Sequence, residues 1–202
     1  MPLQLQLPII YAITSGGTTA KTTPDDPEFS NLLRWIEAAA AAEISLVQIR
    51  EKSLSTRVLY ELTTRAAAIV NGSITRLLVN DRLDVARAAG ANGVHLTMQS
   101  LPASVVRSTT DENFFIGVST HSLEAALNAR AEGADFIVFG PVFETESKRA
   151  FGPPQGLDKL REVANALPGF PVLAIGGINL ENADECLHAG AAGIAAISMF
   201  NE

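Results

Sequence analysis

The chain is poor in several things that would have placed it in other classes. It has a single cysteine, Cys186, so no disulfide can form within it; a reducing cytoplasm is the simplest setting. Positive charge is outnumbered, with 15 Lys and Arg against 22 Asp and Glu and a formal net charge of −7. That balance argues against a nucleic-acid surface, which is normally basic. It leaves room for a local anion site, because a few clustered cations outweigh a distant acidic background. No apolar run reaches the length of a membrane span. The opening MPLQLQLPII lacks a basic n-region and a long apolar stretch, so no signal peptide is expected.

What is present is an ordinary globular composition, 47% hydrophobic and 18% charged over 202 residues. That length suits one domain, 1–202, with a sizeable core and no interdomain linker. Short apolar runs recur along it: 9–14, 45–49, 76–79, 93–96, 114–118, 136–140, 172–176 and 193–197. Helix-like segments separate them, among them Glu28–Ala42, Ser55–Val70, Ser122–Ala131 and Leu180–Ala189. Continuous apolar runs of strand length alternating with helices predict buried parallel strands in βαβ units.

A weak internal repeat supports this reading. GANGV (90–94), GADFI (133–137) and GAAGI (190–194) share one pattern, in which a glycine ends a helix in the left-handed conformation and an apolar strand follows. The eight runs predict an α/β fold, a (β/α)8 TIM barrel; an open doubly wound sheet is the alternative. The sequence stops at MFNE just after the eighth run, so the last helix is expected to be missing or truncated. The polar stretch SGGTTAKTTPDD (15–26) reads as a long loop after the first strand, with the length and polarity of a lid.

In such a barrel the chemistry sits at the C-terminal ends of the strands. LVQIREK (46–52) runs from a core strand straight into Arg50 and Lys52, on alternate positions of an extended segment. Asn80 and Asp81 follow the third run, and His95 lies in the fourth. Ser119 and His121 follow the fifth run, Thr145 and Lys148 the sixth, Gly176 and Gly177 the seventh, and Ser198 ends the eighth. Together they resemble an anion site. Arg50 can hold a phosphate in bidentate fashion, and lysines supply point charges. Asp81 is a hard oxygen ligand of the kind Mg²⁺ combines with substrate phosphates. Gly176-Gly177 allows backbone amides to approach a phosphate.

Each residue also has a plain structural reading. Arg50 and Lys52 could be solvated loop charges. Asn80-Asp81 could cap a helix, His121 could do the same, and His95 could be a satisfied core histidine. His188 suits a helix C-terminus, and Cys186 suits packing. What favours function is convergence: these positions fall just after predicted strands, on one face.

Several stretches carry a family resemblance: QIREK (48–52), LLVNDRLDVA (77–86), GANGVHL (90–96), IGVSTHS (116–122), GADFIVFGPVFETESK (133–148), PVLAIGGI (171–178) and AGAAGIAAIS (189–198). In this order, from about Ile9 to Ser198, they resemble the thiamine phosphate synthase family, which also contains thiazole tautomerase. The resemblance implies a (β/α)8 barrel, possible as a homodimer, acting on small phosphorylated substrates. A synthase of this kind joins hydroxymethylpyrimidine diphosphate to thiazole phosphate and releases diphosphate. By position, Arg50, Lys52, Asn80 and Lys148 would hold the diphosphate and Gln48 would lie beside the pyrimidine. His95 would sit near the pyrimidine, Ser119 at the diphosphate or pyrimidine, and Asp81 would ligate Mg²⁺. Thr145, Gly177 and Ser198 would hold the thiazole phosphate.

The chain departs from that pattern in two places. The family usually follows the fourth strand with Gly-Gln-Glu-Asp, whose Asp is a second Mg²⁺ ligand; here the stretch is Thr97-Met98-Gln99-Ser100. Ser100 brings no charge, so a weakened metal site is expected. Where the first strand usually ends in Thr-Asp, it reads Thr14-Ser15. FETESK leans toward the tautomerase, which needs no metal and for which His121 matches the acid–base position. Lys52 and Asn80-Asp81 favour the synthase. A third alternative is a barrel that binds thiamine precursors without turnover.

Overall fold

The alternating pattern closes on itself. In the computed structural model, which describes residues 6–145 and 153–200, eight parallel strands run β1 (Ile9–Ile13), β2 (Leu46–Ile49), β3 (Arg76–Asn80), β4 (Gly93–Leu96), β5 (Phe115–Thr120), β6 (Phe136–Phe139), β7 (Val172–Ile175) and β8 (Gly193–Ala196). β8 pairs back onto β1, from Ile9 opposite Gly193 to Ala12 opposite Ala196. That pairing makes a closed barrel and removes the open doubly wound sheet.

Helices alternate with the strands: α1 (Pro27–Ala41), α2 (Thr56–Val70), α3 (Leu83–Ala88), α4 (Ala103–Ser108), α5 (Leu123–Ala131), α6 (Gly156–Ala166) and α7 (Ala183–His188). Helix starts follow local chemistry. α1 opens with Pro27 in its first turn, and Ser55 and Ser122 cap α2 and α5 by accepting from the amides of Val58 and Ala125. α7 begins later than the periodicity predicts. Asn179 Oδ1 takes the amides of Glu181 and Asn182 at 2.9 and 3.1 Å, an Asx turn that competes with helix over those residues. The repeated glycines behave as expected, with φ of +74° at Gly90, +89° at Gly133 and +98° at Gly190. Among the described residues β8 is followed only by a short 3-10 turn, Ser198–Phe200, and the indole N–H of Trp35 in α1 donates to the Phe200 carbonyl.

Two shells of apolar packing result. Outward-facing strand residues such as Val47, Ile49, Leu77 and Val79 pack under α1 and α2 around Phe29, Ile36 and Leu62. A second outer cluster lies under α5, α6 and α7, around Phe139, Leu160, Val163 and the buried Cys186, whose thiol burial pushes up to about 11. The inward-facing set, from Ile9, Tyr11 and Ile13 to Phe115, Phe136 and Leu173, fills the barrel. This division is the period-two alternation of a strand applied to a closed sheet. Gly117 lets the interior close: a Cβ there would come within 2.4 Å of the Phe136 ring and 2.8 Å of His95 Nδ1. No helix among the described residues is long and apolar enough to cross a membrane.

Candidate active site

The end of β2 shows why a core strand runs into charge. Gln48 is buried at 1% exposure, and its amide nitrogen donates to Asn80 Oδ1 at the end of β3 (3.0 Å). Arg50 lies two residues on, partly buried. Its backbone N–H donates to Thr14 Oγ1 at 2.8 Å, and the Thr14 N–H donates to the Gln48 carbonyl at 3.0 Å. This lattice extends the β1–β2 pairing past the last strand residue. The extended segment then ends, since the Leu54 N–H closes a turn onto the Glu51 carbonyl at 3.3 Å. Lys52 therefore sits in a turn, exposed, rather than on the continuing strand.

Asn80 is the last residue of β3, and its side-chain oxygen accepts from Gln48, while its amide nitrogen remains a donor. Asp81 follows with φ +62°, a left-handed conformation that Asp tolerates better than most residues. Its amide donates to the His95 carbonyl at 2.9 Å, and the next amide, of Arg82, donates to the Asn80 carbonyl at 2.7 Å. The helix-cap reading of this pair fails, because the residue preceding α3 is Arg82 and no side chain caps that helix. The Asp81 side chain is left exposed at the strand end.

His95 and Ser119 meet across β4 and β5, with Nε2 and Oγ 2.8 Å apart. Ser119 lies within β5, which runs on to Thr120. His95 is 4% exposed, and burial, reinforced by the Arg50 charge, pushes its pKa down to about 3. Its ring packs 5.7 Å from that of Tyr11 and 6.2 Å from that of Phe136, centroid to centroid. Burial also raises the Tyr11 hydroxyl pKa well above its ordinary value. Tyr11 Oη, Gln48 Oε1 and His95 Nδ1 are buried with no hydrogen-bond partner. Most buried polar atoms are satisfied, and these three lie on neighbouring inner positions of β1, β2 and β4.

His121 follows β5 and is exposed, and its Nδ1–H donates to the Gly140 carbonyl. Capping of α5 falls to Ser122 instead. Thr145 is partly buried, and Lys148 lies outside the described residues. Gly176 and Gly177 follow β7 with φ +100° and +65°. A Cβ on Gly177 would stand 2.6 Å from the Glu144 carbonyl oxygen, so the β7 end presses against the loop after β6. Asn182 Nδ2 donates to the Gly177 carbonyl at 2.9 Å, and Ser198 is exposed in the final turn.

The donor set for a metal is thin. No group of three or more His, Cys, Asp or Glu among the described residues could hold an ion. Ser100 Oγ is engaged in its own turn, accepting from the Thr97 amide at 2.8 Å and lying 3.1 Å from Thr97 Oγ1. One outward carboxylate, Asp81, fits the mode in which Mg²⁺ is held by a single carboxylate together with substrate phosphates and water. Sequence reading overlooked Glu51. It is 3% exposed and accepts from the amides of Gly16 and Thr18, both at 3.1 Å, and from Thr18 Oγ1 at 2.7 Å. Its only local signal was a carboxylate lying between two cations.

Comparison with known proteins decides the family. The model of the thiamine monophosphate synthase family matches residues 18–200. The chain belongs to this family. Its relatives include the thiamine-phosphate synthase of Methanocella arvoryzae, 40% identical over 189 residues, covering 94% of this chain and 85% of that protein. Another, the thiamine-phosphate synthase of Methanoculleus marisnigri, is 42% identical over 160 residues, covering 79% and 75%. Among solved structures, the thiamine phosphate pyrophosphorylase of Pyrococcus furiosus superimposes with a TM-score of 0.76 at 35% identity, over 94% of this chain and 85% of that one. Membership of the thiamine monophosphate synthase family agrees with the barrel and with a mouth suited to small phosphorylated substrates.

Proposed function

We propose that this chain is a thiamine phosphate synthase, which couples hydroxymethylpyrimidine diphosphate to thiazole phosphate and releases diphosphate. One observation carries the reading. The Arg50 guanidinium is anchored at the barrel mouth through its own backbone yet makes no side-chain hydrogen bond to a described residue. It follows Gln48, which is bonded to Asn80 at the end of β3, its charge reaches His95, and the exposed Asp81 comes one residue after Asn80. That arrangement suits a group that arrives with the substrate and carries negative charge.

The bond accounting is short. The bond between the pyrimidine methylene and diphosphate oxygen breaks, its electron pair leaving with diphosphate. The thiazole nitrogen lone pair then forms the new carbon–nitrogen bond. Catalysis lies mainly in stabilising charge that builds on the leaving group, which preorganised donors do well in a partly dehydrated site. Arg50 supplies a bidentate fork, Asn80 a polar side chain, and Lys52 and Lys148 point charges. Mg²⁺, held by Asp81 and the phosphates, would add Lewis-acid neutralisation of the same charge. Gln48 and the neutral His95–Ser119 pair present polar atoms to the pyrimidine without adding a cation beside the one that develops there. Thr145, Gly176, Gly177 and Ser198 line the opposite rim, where a second phosphate would bind.

Coupling requires no protein acid or base, whereas tautomerisation does. His121 gives its Nδ1–H to Gly140, which leaves Nε2 as the basic nitrogen; this is the feature that suits the tautomerase. The deciding assay supplies both substrates and Mg²⁺ and detects thiamine phosphate after oxidation to a fluorescent derivative. Mg²⁺-dependent product, unimpaired in His121→Ala, establishes the synthase. No product from folded protein sinks it.

A further inference from the structure

We propose that Glu51 is a positioning residue: its buried carboxylate clamps the loop after β1 against Arg50 and so fixes the wall of the diphosphate site. The inference rests on the synthase reading only in naming diphosphate as the ligand of Arg50.

Glu51 has no apolar reason to be where it is. An ionised carboxylate is costly to bury unless its oxygens are well satisfied. Here one oxygen takes the Gly16 amide, and the other takes the Thr18 amide and the Thr18 hydroxyl. All these donors belong to one loop, 33 to 35 residues earlier in the chain. Other polar contacts of that loop are local, such as Thr19 with Thr22 and Thr23 with Asp26. The second long-range tether is the Arg50 amide on Thr14 Oγ1. Adjacent residues just after β2 thus hold the end of β1 and the loop that follows it.

The effect reaches the guanidinium directly. Gly16 turns with φ +80°, and a Cβ placed on it would stand 3.4 Å from the Arg50 carbonyl oxygen and 3.8 Å from Arg50 Nη1. The loop backbone therefore lies against Arg50. Neighbouring residues at a strand end point to opposite sides, so Glu51 spends its charge on loop donors and leaves that of Arg50 to the substrate. Without the carboxylate, three donors lose their acceptor and the wall beside Arg50 loosens.

Glu51→Gln is the first test, since it keeps the shape but turns an NH₂ toward donors. Thr18→Val removes one donor from the loop side and covers the case in which the first variant does not fold. Three quantities are read in the full chain: amide exchange across residues 14–20, the dissociation constant for inorganic diphosphate with Mg²⁺ by calorimetry, and Tm. Glu51→Gln is expected to speed exchange at Gly16 and Thr18 by about 10-fold or more and to weaken diphosphate by about 10-fold, one lost charge-assisted hydrogen bond's worth. Affinity for thiazole phosphate should stay as it was, and Thr18→Val should move the first two readings the same way by less. Unchanged loop exchange, or exchange rising across the whole barrel together with a fall in Tm, overturns the clamp. Wild-type protein that binds no diphosphate but shows the exchange response would overturn the synthase reading and leave the clamp standing.

Discussion

Nε2 of His95 and Oγ of Ser119 stand 2.8 Å apart on neighbouring strands of the barrel wall, and the histidine of that pair is uncharged. The contact is therefore a neutral one. Its cost appears only when acid forces a proton onto the ring.

That cost has a sign. Burial lowers the His95 pKa from 6.5 to about 3, so below its unfolded value the unfolded chain takes up the proton first. The stabilisation is complete above about pH 6.5 and is lost as pH falls toward about 3, at a slope of up to roughly 1.4 kcal/mol per pH unit. His95→Gln should lower stability near neutrality and flatten this part of the profile. Urea midpoints of wild type and variant between pH 4 and 7 check it; parallel curves would show that the ring titrates normally.

Arg50→Ala should cut kcat/KM by about 10²-fold or more, because the lost fork both holds the diphosphate and stabilises the extra charge that builds on it as it leaves. Arg50→Lys keeps the charge and loses the bidentate geometry, so it should recover part of the activity. Steady-state kinetics with both substrates decides. Full activity in Arg50→Ala removes it from the mechanism.

Ser100→Asp should shift the Mg²⁺ titration of the reaction to about 3- to 10-fold lower concentration, since a second carboxylate raises the charge facing the ion. The turn should tolerate it, because Asp can accept the Thr97 amide as Ser100 does. Mn²⁺ binding without substrate gives a second readout. If neither measurement moves, the metal is held by a different set of groups.

The barrel was legible because parallel strands covered on both faces leave continuous apolar runs, and because a glycine at each of three helix ends announced the next strand. The short helices were harder: α3, α4 and α7 have six residues each, too few for a periodic signature. At the mouth, Arg50 and Asp81 were found by their place after strands, and Gln48 only through the family resemblance. Their partners were not, because partnership there is a property of the closed sheet. Asn80 could be read as a cap until β2 and β3 were set side by side and Gln48 took its oxygen. Glu51 was hidden for the same reason. A carboxylate between two cations looks like surface, and nothing near it in sequence reveals that Gly16 and Thr18 are waiting to be accepted.

The tie between Trp35 and Phe200 gives the molecule a built-in gauge. Trp35 is the only indole in the sequence, and its N–H is held by the carbonyl of the same short turn that displays Ser198. Its emission therefore reads the docking of that turn directly, without a label. A phosphate drawn to Ser198 would register as a change in the light from the first helix, on the far side of the chain's numbering and beside it in space.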